Sequence, residues 1–400
     1  MTVPTHDDIT YDPYSFDIDV DPYPVWKRMR DERPLYRNEA FDFWAVSRFA
    51  DVEACSVKWE TYRSGRGTVL EMIRAGMEIP RGMFIFEDPP IHDLHRGLLS
   101  RMFSPRRVAA LEERVRQICA QSLDPHVGSG GFDFVRDLGA EMPMRVISQL
   151  LGIPEADQVS IRDRIDRGLR IEEGKAPDVS DVSNVLADQV QLKDYIDFRR
   201  SHPSDDLMTD LVQVSFVDEY GNERHLDEDE IINYAGLLAA AGNETTTKLI
   251  GWTGYLLGKF GDQRQILVED RSLVPGAVEE ILRYEAPSPV QARYVARDVE
   301  LHDTAVSEGS VLLLLTAAAN RDERKFADPD RFDIRRKIDH HVTFGYGLHF
   351  CMGAALARLE GRVALEEVLK RFPNWEVDDD QAERAHTSTV RGWHRLPVLV

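Results

Sequence analysis

One cysteine stands in a setting suited to metal chemistry: Phe344-Gly345-Tyr346-Gly347-Leu348-His349-Phe350-Cys351-Met352-Gly353. A thiolate that binds haem iron must be kept deprotonated, sheltered from water and stopped from over-reacting, and the neighbours of Cys351 can meet each condition. Gly345, Gly347 and Gly353 let the backbone turn sharply and aim N–H groups at the sulfur. Such hydrogen bonds tune a metal through its ligand. Phe344 is placed to pack over that ligand. The run Met352 to Val368, rich in Ala, Leu, Arg and Glu, predicts a helix that starts just after the cysteine and turns its positive end toward it. A dinucleotide loop does not fit, because Phe350 stands where the third glycine of G-x-G-x-x-G belongs.

Upstream, Ala241-Gly242-Asn243-Glu244-Thr245 lies in an apolar stretch from Ile231 to Phe260 without proline, long enough for a helix that crosses a domain. Ala241 and Gly242 leave no bulk, so a flat cofactor and dioxygen could lie against the backbone. The Thr245 hydroxyl can bond to the carbonyl of Ala241, four residues back, and open the helix locally. Glu244 and Thr245 together offer an acid and a hydroxyl for proton delivery. Further on, Glu280 and Arg283 are spaced to share one helix face.

The cysteine decapeptide resembles the haem-binding signature F-x-x-G-x-x-x-C-x-G of the cytochrome P450 family. The upstream helix resembles that family's A-G-x-[DE]-T, and Glu280-Ile281-Leu282-Arg283 its E-x-x-R, all in the expected order. The resemblance implies a mainly α fold with a smaller β-rich region near the N terminus. Haem b would lie between the long oxygen-binding helix and the cysteine helix, ligated by Cys351 and contacted by Ala241, Gly242, Phe344, Gly345 and Gly353. It implies that His92 and Arg96 after Asp88-Pro89-Pro90, with Arg293 and His349, hold the propionates. His95 stands where the family usually has an apolar residue and is not carried over. Glu280, Arg283 and Arg331 would form a buried charge network that fixes the loop leading to the cysteine. The strand Trp44 to Phe49 and the C-terminal Pro397 to Val400 extend the resemblance over nearly the whole chain.

By family position the substrate pocket draws on Met72, Met77, Met83 and Phe84, the segment around Leu169, Leu237 and Leu238 on the long helix, and Val290 and Val390. These residues are apolar and the methionines adaptable, which implies a hydrophobic small molecule: terpenoid, steroid, fatty acyl or aromatic. The resemblance implies a monooxygenase that uses dioxygen. A haem-thiolate gas or redox sensor would not need the acid and hydroxyl, and a peroxide-driven peroxygenase would be expected to replace Glu244 and Thr245.

The 400 residues show no linker, repeat or low-complexity stretch, and 1–400 reads as a single domain. Gly128 to Gly131 and Glu173 to Pro177 read as surface loops. A net charge of −21 argues against nucleic acid as a partner. The first 21 residues are acidic and polar, with no apolar signal or membrane span, and the three cysteines Cys55, Cys119 and Cys351 give no disulfide framework. These features predict a soluble, bacterial-type, cytoplasmic monomer with Cys119 in its core. Arg96, Arg101, Arg106 and Arg107 cluster after the Asp-Pro-Pro turn, and Arg321, Arg324 and Arg358 flank the cysteine region; the resemblance implies that these share the face nearest the thiolate, where the family docks acidic redox proteins. No flavin or nicotinamide segment follows Val400, so a separate ferredoxin with its reductase is the expected electron source.

Overall fold

The computed structural model describes residues 9–100, 103–154, 190–387 and 389–400. Its longest helix runs Glu228–Lys259 and starts at a reciprocal cap: the Asp227 side chain accepts from the Glu230 N–H while the Glu230 side chain accepts from the Asp227 N–H. The apolar pattern alone placed the start at Ile231. The acidic first turn, Glu228 to Glu230, suits the positive end of a helix and carries the element further back. At about 1.5 Å per residue, 32 residues span about 48 Å.

That helix is the axis of the helical part. Helices Glu141–Leu151, Val274–Tyr284 and Ala354–Arg371 pack against it. Around its second half, Leu249, Trp252 and Leu256 join Val278, Ile281, Val363 and Val368 in one apolar cluster, which also takes Cys119. Around its first half, Ile231, Tyr234, Leu237 and Leu238 join Met83, Phe84, Leu99 and Ile147 in a second. Each large aliphatic side chain so buried contributes roughly 1.5–3 kcal/mol. The helix after the cysteine begins at Ala354, two residues later than its composition suggests, with Gly353 as its N-cap, and continues to Arg371.

The β-rich part is a five-stranded sheet in the order Leu35–Asn38, Phe43–Val46, Val311–Leu314, Gln291–Val295, Tyr62–Arg63. Only the second and third strands pair in parallel. It is therefore not local to the N terminus, since two strands come from far along the chain. The strand expected over Trp44 to Phe49 ends at Val46, because the Phe49 N–H donates to Asp322 Oδ2 at 2.9 Å and opens helix Phe49–Val57 instead. Residues 128–130 are exposed, and Gly131 begins the strand Gly131–Asp133. The loop expected at 173–177 lies outside the described residues. Among the described residues no helix is long and apolar enough to cross a membrane.

Candidate active site

The cysteine turn is built by two left-handed glycines. Gly345 and Gly347 both have φ near +72°. At Gly347 a Cβ would also lie 2.9 Å from the Ser56 carbonyl oxygen, so the turn packs on helix Phe49–Val57 only because that atom is missing. The Cys351 N–H then donates to the Phe344 carbonyl at 2.8 Å and closes the loop. Cys351 is exposed as a residue, yet its sulfur lies deep in surrounding protein, and this burial raises the thiol above its ordinary range. Backbone N–H groups of Gly353 and Ala354 and the charges of Arg96 and Arg358 act the other way and favour the thiolate. Phe344 has the Arg358 guanidinium 4.5 Å from its ring centre, and Arg358 is held by both oxygens of Glu279 at 2.7 and 3.0 Å.

Beside this loop four basic groups converge, and the acid in contact with them is Asp93, whose Oδ1 lies 3.0 Å from His92 Nδ1. His92, on helix Ile91–Ser100, and His349 have ring centres 4.4 Å apart, and the Nε2 atoms of both are buried with no hydrogen-bond partner. Burial, then the charges of Arg293, His92 and Arg96, hold the His349 imidazole down to about 2. Burial likewise lowers Arg96, and lowers Arg293 to about 10. Among the described residues Arg96 and Arg293 form no ion pair, and Arg96 donates instead to the Phe350 carbonyl. Buried cations ordinarily need anions. Two carboxylates would satisfy both orphaned ring nitrogens and both guanidinium groups, so the site fits a haem whose two propionates point here. Cys351 would be its iron ligand.

The long helix carries the expected Ala-Gly-x-Glu-Thr run at its middle. Ala241 is exposed midway along an otherwise mostly buried element, and the Thr245 hydroxyl donates to its carbonyl at 3.1 Å, the bond the spacing predicts. Gly242 does something else. A Cβ there would meet Ile147 at 3.1 Å, so its smallness also serves the contact with helix Glu141–Leu151. Glu244 is buried, and its carboxylate lies 3.9 Å from Lys248 Nζ, which donates to the Trp393 carbonyl. Thr246 donates to Glu360, whose carboxyl burial pushes well above the usual range.

The charge network differs from expectation in one member. Arg283 and Glu280 are fully buried and doubly bonded at 2.7 and 2.8 Å. Arg331 is exposed and offers only its carbonyl. The second guanidinium is that of Arg336, whose Nε lies 3.2 Å from Glu280, because the turn after Phe332 carries the chain back over the helix. From Arg283 the network runs through the Asn320 carbonyl, and the Asn320 side chain holds Val342 N–H and Thr343 Oγ1 just before Phe344. Asn320, Thr343 and Arg336 carry no local signal that sequence reading could have used.

The expected pocket residues divide. Met83, Phe84, Leu237 and Leu238 lie in one apolar cluster. Met72 is buried on helix Leu70–Ala75 and Met77 follows it half-buried. Val290 and Val390 line a cleft beside the N-terminal segment, with Tyr11, Ile18 and Trp26. The segment around Leu169 lies outside the described residues, as does Arg101. The basic cluster near the cysteine is largely neutralised. Arg107 pairs with Asp210, Arg324 with Asp322, Arg358 with Glu279, and Arg321 is buried against Glu285. Arg106 is exposed and, among the described residues, forms no ion pair.

The family model for cytochrome P450 matches residues 259–397. Over all of this chain and 99% of the other, it is 41% identical to a putative cytochrome P450 123 of Mycobacterium tuberculosis. A vitamin D(3) 25-hydroxylase of Pseudonocardia autotrophica is 36% identical over 95% of this chain and 94% of its own. Among solved structures, a mutant of P450 EryK in complex with erythromycin B superposes with a TM-score of 0.86 at 30% identity, covering 96% of both chains.

Proposed function

Because the chain belongs to the cytochrome P450 family, we propose that Cys351 is the thiolate ligand of its haem and that His92, Arg96, Arg293 and His349 hold the propionates. The protein is a monooxygenase with a cysteine-ligated haem. The observation that carries the residue assignment is the cluster of two buried and two half-buried basic groups, with two orphaned ring nitrogens, beside the glycine-framed cysteine. When bound, haem supplies the oxidising power to insert one atom of dioxygen into an unactivated C–H bond.

The protein's own part is placement, exclusion of water and movement of protons. Thr245 Oγ1 opens to the cleft beside Ala241 and holds a proton for the oxygen side. Glu244, buried next to Lys248, resupplies it. Met83, Phe84, Leu237 and Leu238 form an apolar wall for a hydrophobic substrate: terpenoid, steroid, fatty acyl or aromatic. The relative named as a vitamin D(3) hydroxylase supports the steroid-like class among these. Electrons come from a ferredoxin and its reductase, and the enzyme works as a cytoplasmic monomer over one domain, 1–400. Titrating compounds of the four classes into the ferric enzyme tests the substrate reading. A steroid-like compound that shifts the haem absorption band at micromolar concentration supports it, and a shift produced only by small polar compounds overturns it.

A further inference from the structure

His95 is fully buried on helix Ile91–Ser100 at a position where an apolar residue would pack without needing partners. Its Nδ1 lies 2.8 Å from both oxygens of Glu87, while its Nε2, buried without a hydrogen-bond partner, points at Glu230 Oε1 from 3.9 Å. Both carboxylates are themselves buried. Glu87 ends the segment that carries Met83 and Phe84, and its Oε1 also accepts the Gly82 N–H at 3.0 Å. Glu230 belongs to the cap of the long helix and accepts both Nη atoms of Arg224, at 2.6 and 2.8 Å.

Other contacts tie the same pieces together. Arg81 reaches Glu230 at 3.4 Å and Glu219 at 2.7 Å, while its carbonyl accepts from Asn233 at 2.9 Å. A Cβ on Gly82 would lie 2.9 Å from the Glu230 carbonyl, so the segment lies flat on the helix. Tyr234, with its hydroxyl buried and unpartnered, sets its ring edge-on to His95 at 5.6 Å and beside Phe84 at 6.2 Å. Phe216, under Arg224, closes the remaining side.

We propose that His95 is a positioning residue that latches segment 79–87, a wall of the substrate cleft, onto the start of the long helix by bonding Glu87 and standing between it and Glu230. The cleft assignment rests on the proposed function, whereas the latch rests on these distances alone. With an apolar residue at 95, Glu87 would keep one backbone donor in a buried setting, and two carboxylates would face each other with nothing between. Segment 79–87 would then part from the helix more often, and what it covers would escape sooner.

Deuterium exchange of the haem-loaded enzyme tests this. In His95→Leu, amides of 79–87 should exchange about tenfold faster, while helix Ala354–Arg371 stays as protected as before. His95→Gln, which keeps one N–H for Glu87, should restore most of the protection. Arg81→Met removes a surface tie of the same segment and should speed the same amides even if His95→Leu does not fold. Unchanged exchange in His95→Leu, or in Arg81→Met should His95→Leu not fold, overturns the latch. A second readout is the stopped-flow release of a triphenylmethyl imidazole, an iron-binding probe large enough to fill the cleft, and it should be about tenfold faster in the loosened variants. Faster exchange with unchanged release keeps the latch and overturns the assignment of 79–87 to the cleft.

Discussion

The imidazoles of His92 and His349 sit with ring centres 4.4 Å apart and leave both Nε2 atoms buried and unpartnered. Two basic rings drawn together beside two unpaired arginines make an arrangement that an anionic ligand completes. His92→Ala should therefore weaken haem retention about tenfold, roughly 1.4 kcal/mol, since one of four contacts is lost. Transfer of haem to an apo-globin acceptor measures it, and an unchanged transfer rate would assign the propionates elsewhere.

Thr245 donates to the Ala241 carbonyl at the exposed middle of the long helix. Thr245→Ala should leave haem and substrate binding intact while several-fold more reductant is diverted into hydrogen peroxide. The ratio of product to peroxide reads this directly. A ratio equal to wild type would leave Thr245 a helix-bending role only.

Replacing Arg336 by Leu should cost about 2–3 kcal/mol in denaturant unfolding, because it leaves the buried Glu280 with one guanidinium partner fewer. Arg331→Leu, on an exposed side chain, should stay within about 0.5 kcal/mol. The reverse order would return the network to Arg331.

Much of the site could be read from spacing, because its parts are local. The glycines around Cys351 and the four-residue step from Thr245 to Ala241 are short-range devices, and the structure has both. Gly242 shows the limit. Its missing side chain is spent on Ile147, a contact that only tertiary packing reveals. Arg336 and Arg331 are chemically alike and five residues apart, so the path of the turn decides which one reaches Glu280. His95 looked like a mismatch because its partners, Glu87 and Glu230, lie on separate elements. The apolar residues split between two walls for the same reason, since composition marks them as buried without saying against what.

Glu279 is partly buried, yet two hydrogen bonds from Arg358 and the His341 imidazole 3.3 Å away outweigh that burial and hold its carboxyl down to about 2. A carboxylate with a depressed folded pKa stabilises the protein above its unfolded value of 4.5, and this contribution fades as pH falls from there toward 2. Glu279→Gln should thus lower stability by on the order of 2 kcal/mol at pH 7, allowing for screening at its exposed edge, and the deficit should narrow below pH 4.5. Urea unfolding at pH 7 and pH 4 checks the sign, and a deficit that grows on acidification would contradict it.

Arg106 keeps an exposed charge near the cysteine, whereas Arg107 is engaged by Asp210. Arg106→Glu should slow reduction by a competent ferredoxin several-fold at low salt and much less at high salt, because screening acts over roughly 10 Å at 0.1 M. Arg107→Glu should have the smaller effect. Equal reduction rates in wild type and Arg106→Glu would mean the partner docks on another face.

The most direct measurement is the absorption spectrum of the reduced carbon monoxide complex of Cys351→Ser. Cys351 supplies the only thiol in the glycine-framed loop, while Cys55 and Cys119 are buried elsewhere in apolar clusters. The variant should lose the thiolate-type band of the wild type. A variant that folds, binds haem and keeps that band would contradict the assignment of the ligand, and with it the site built around Cys351.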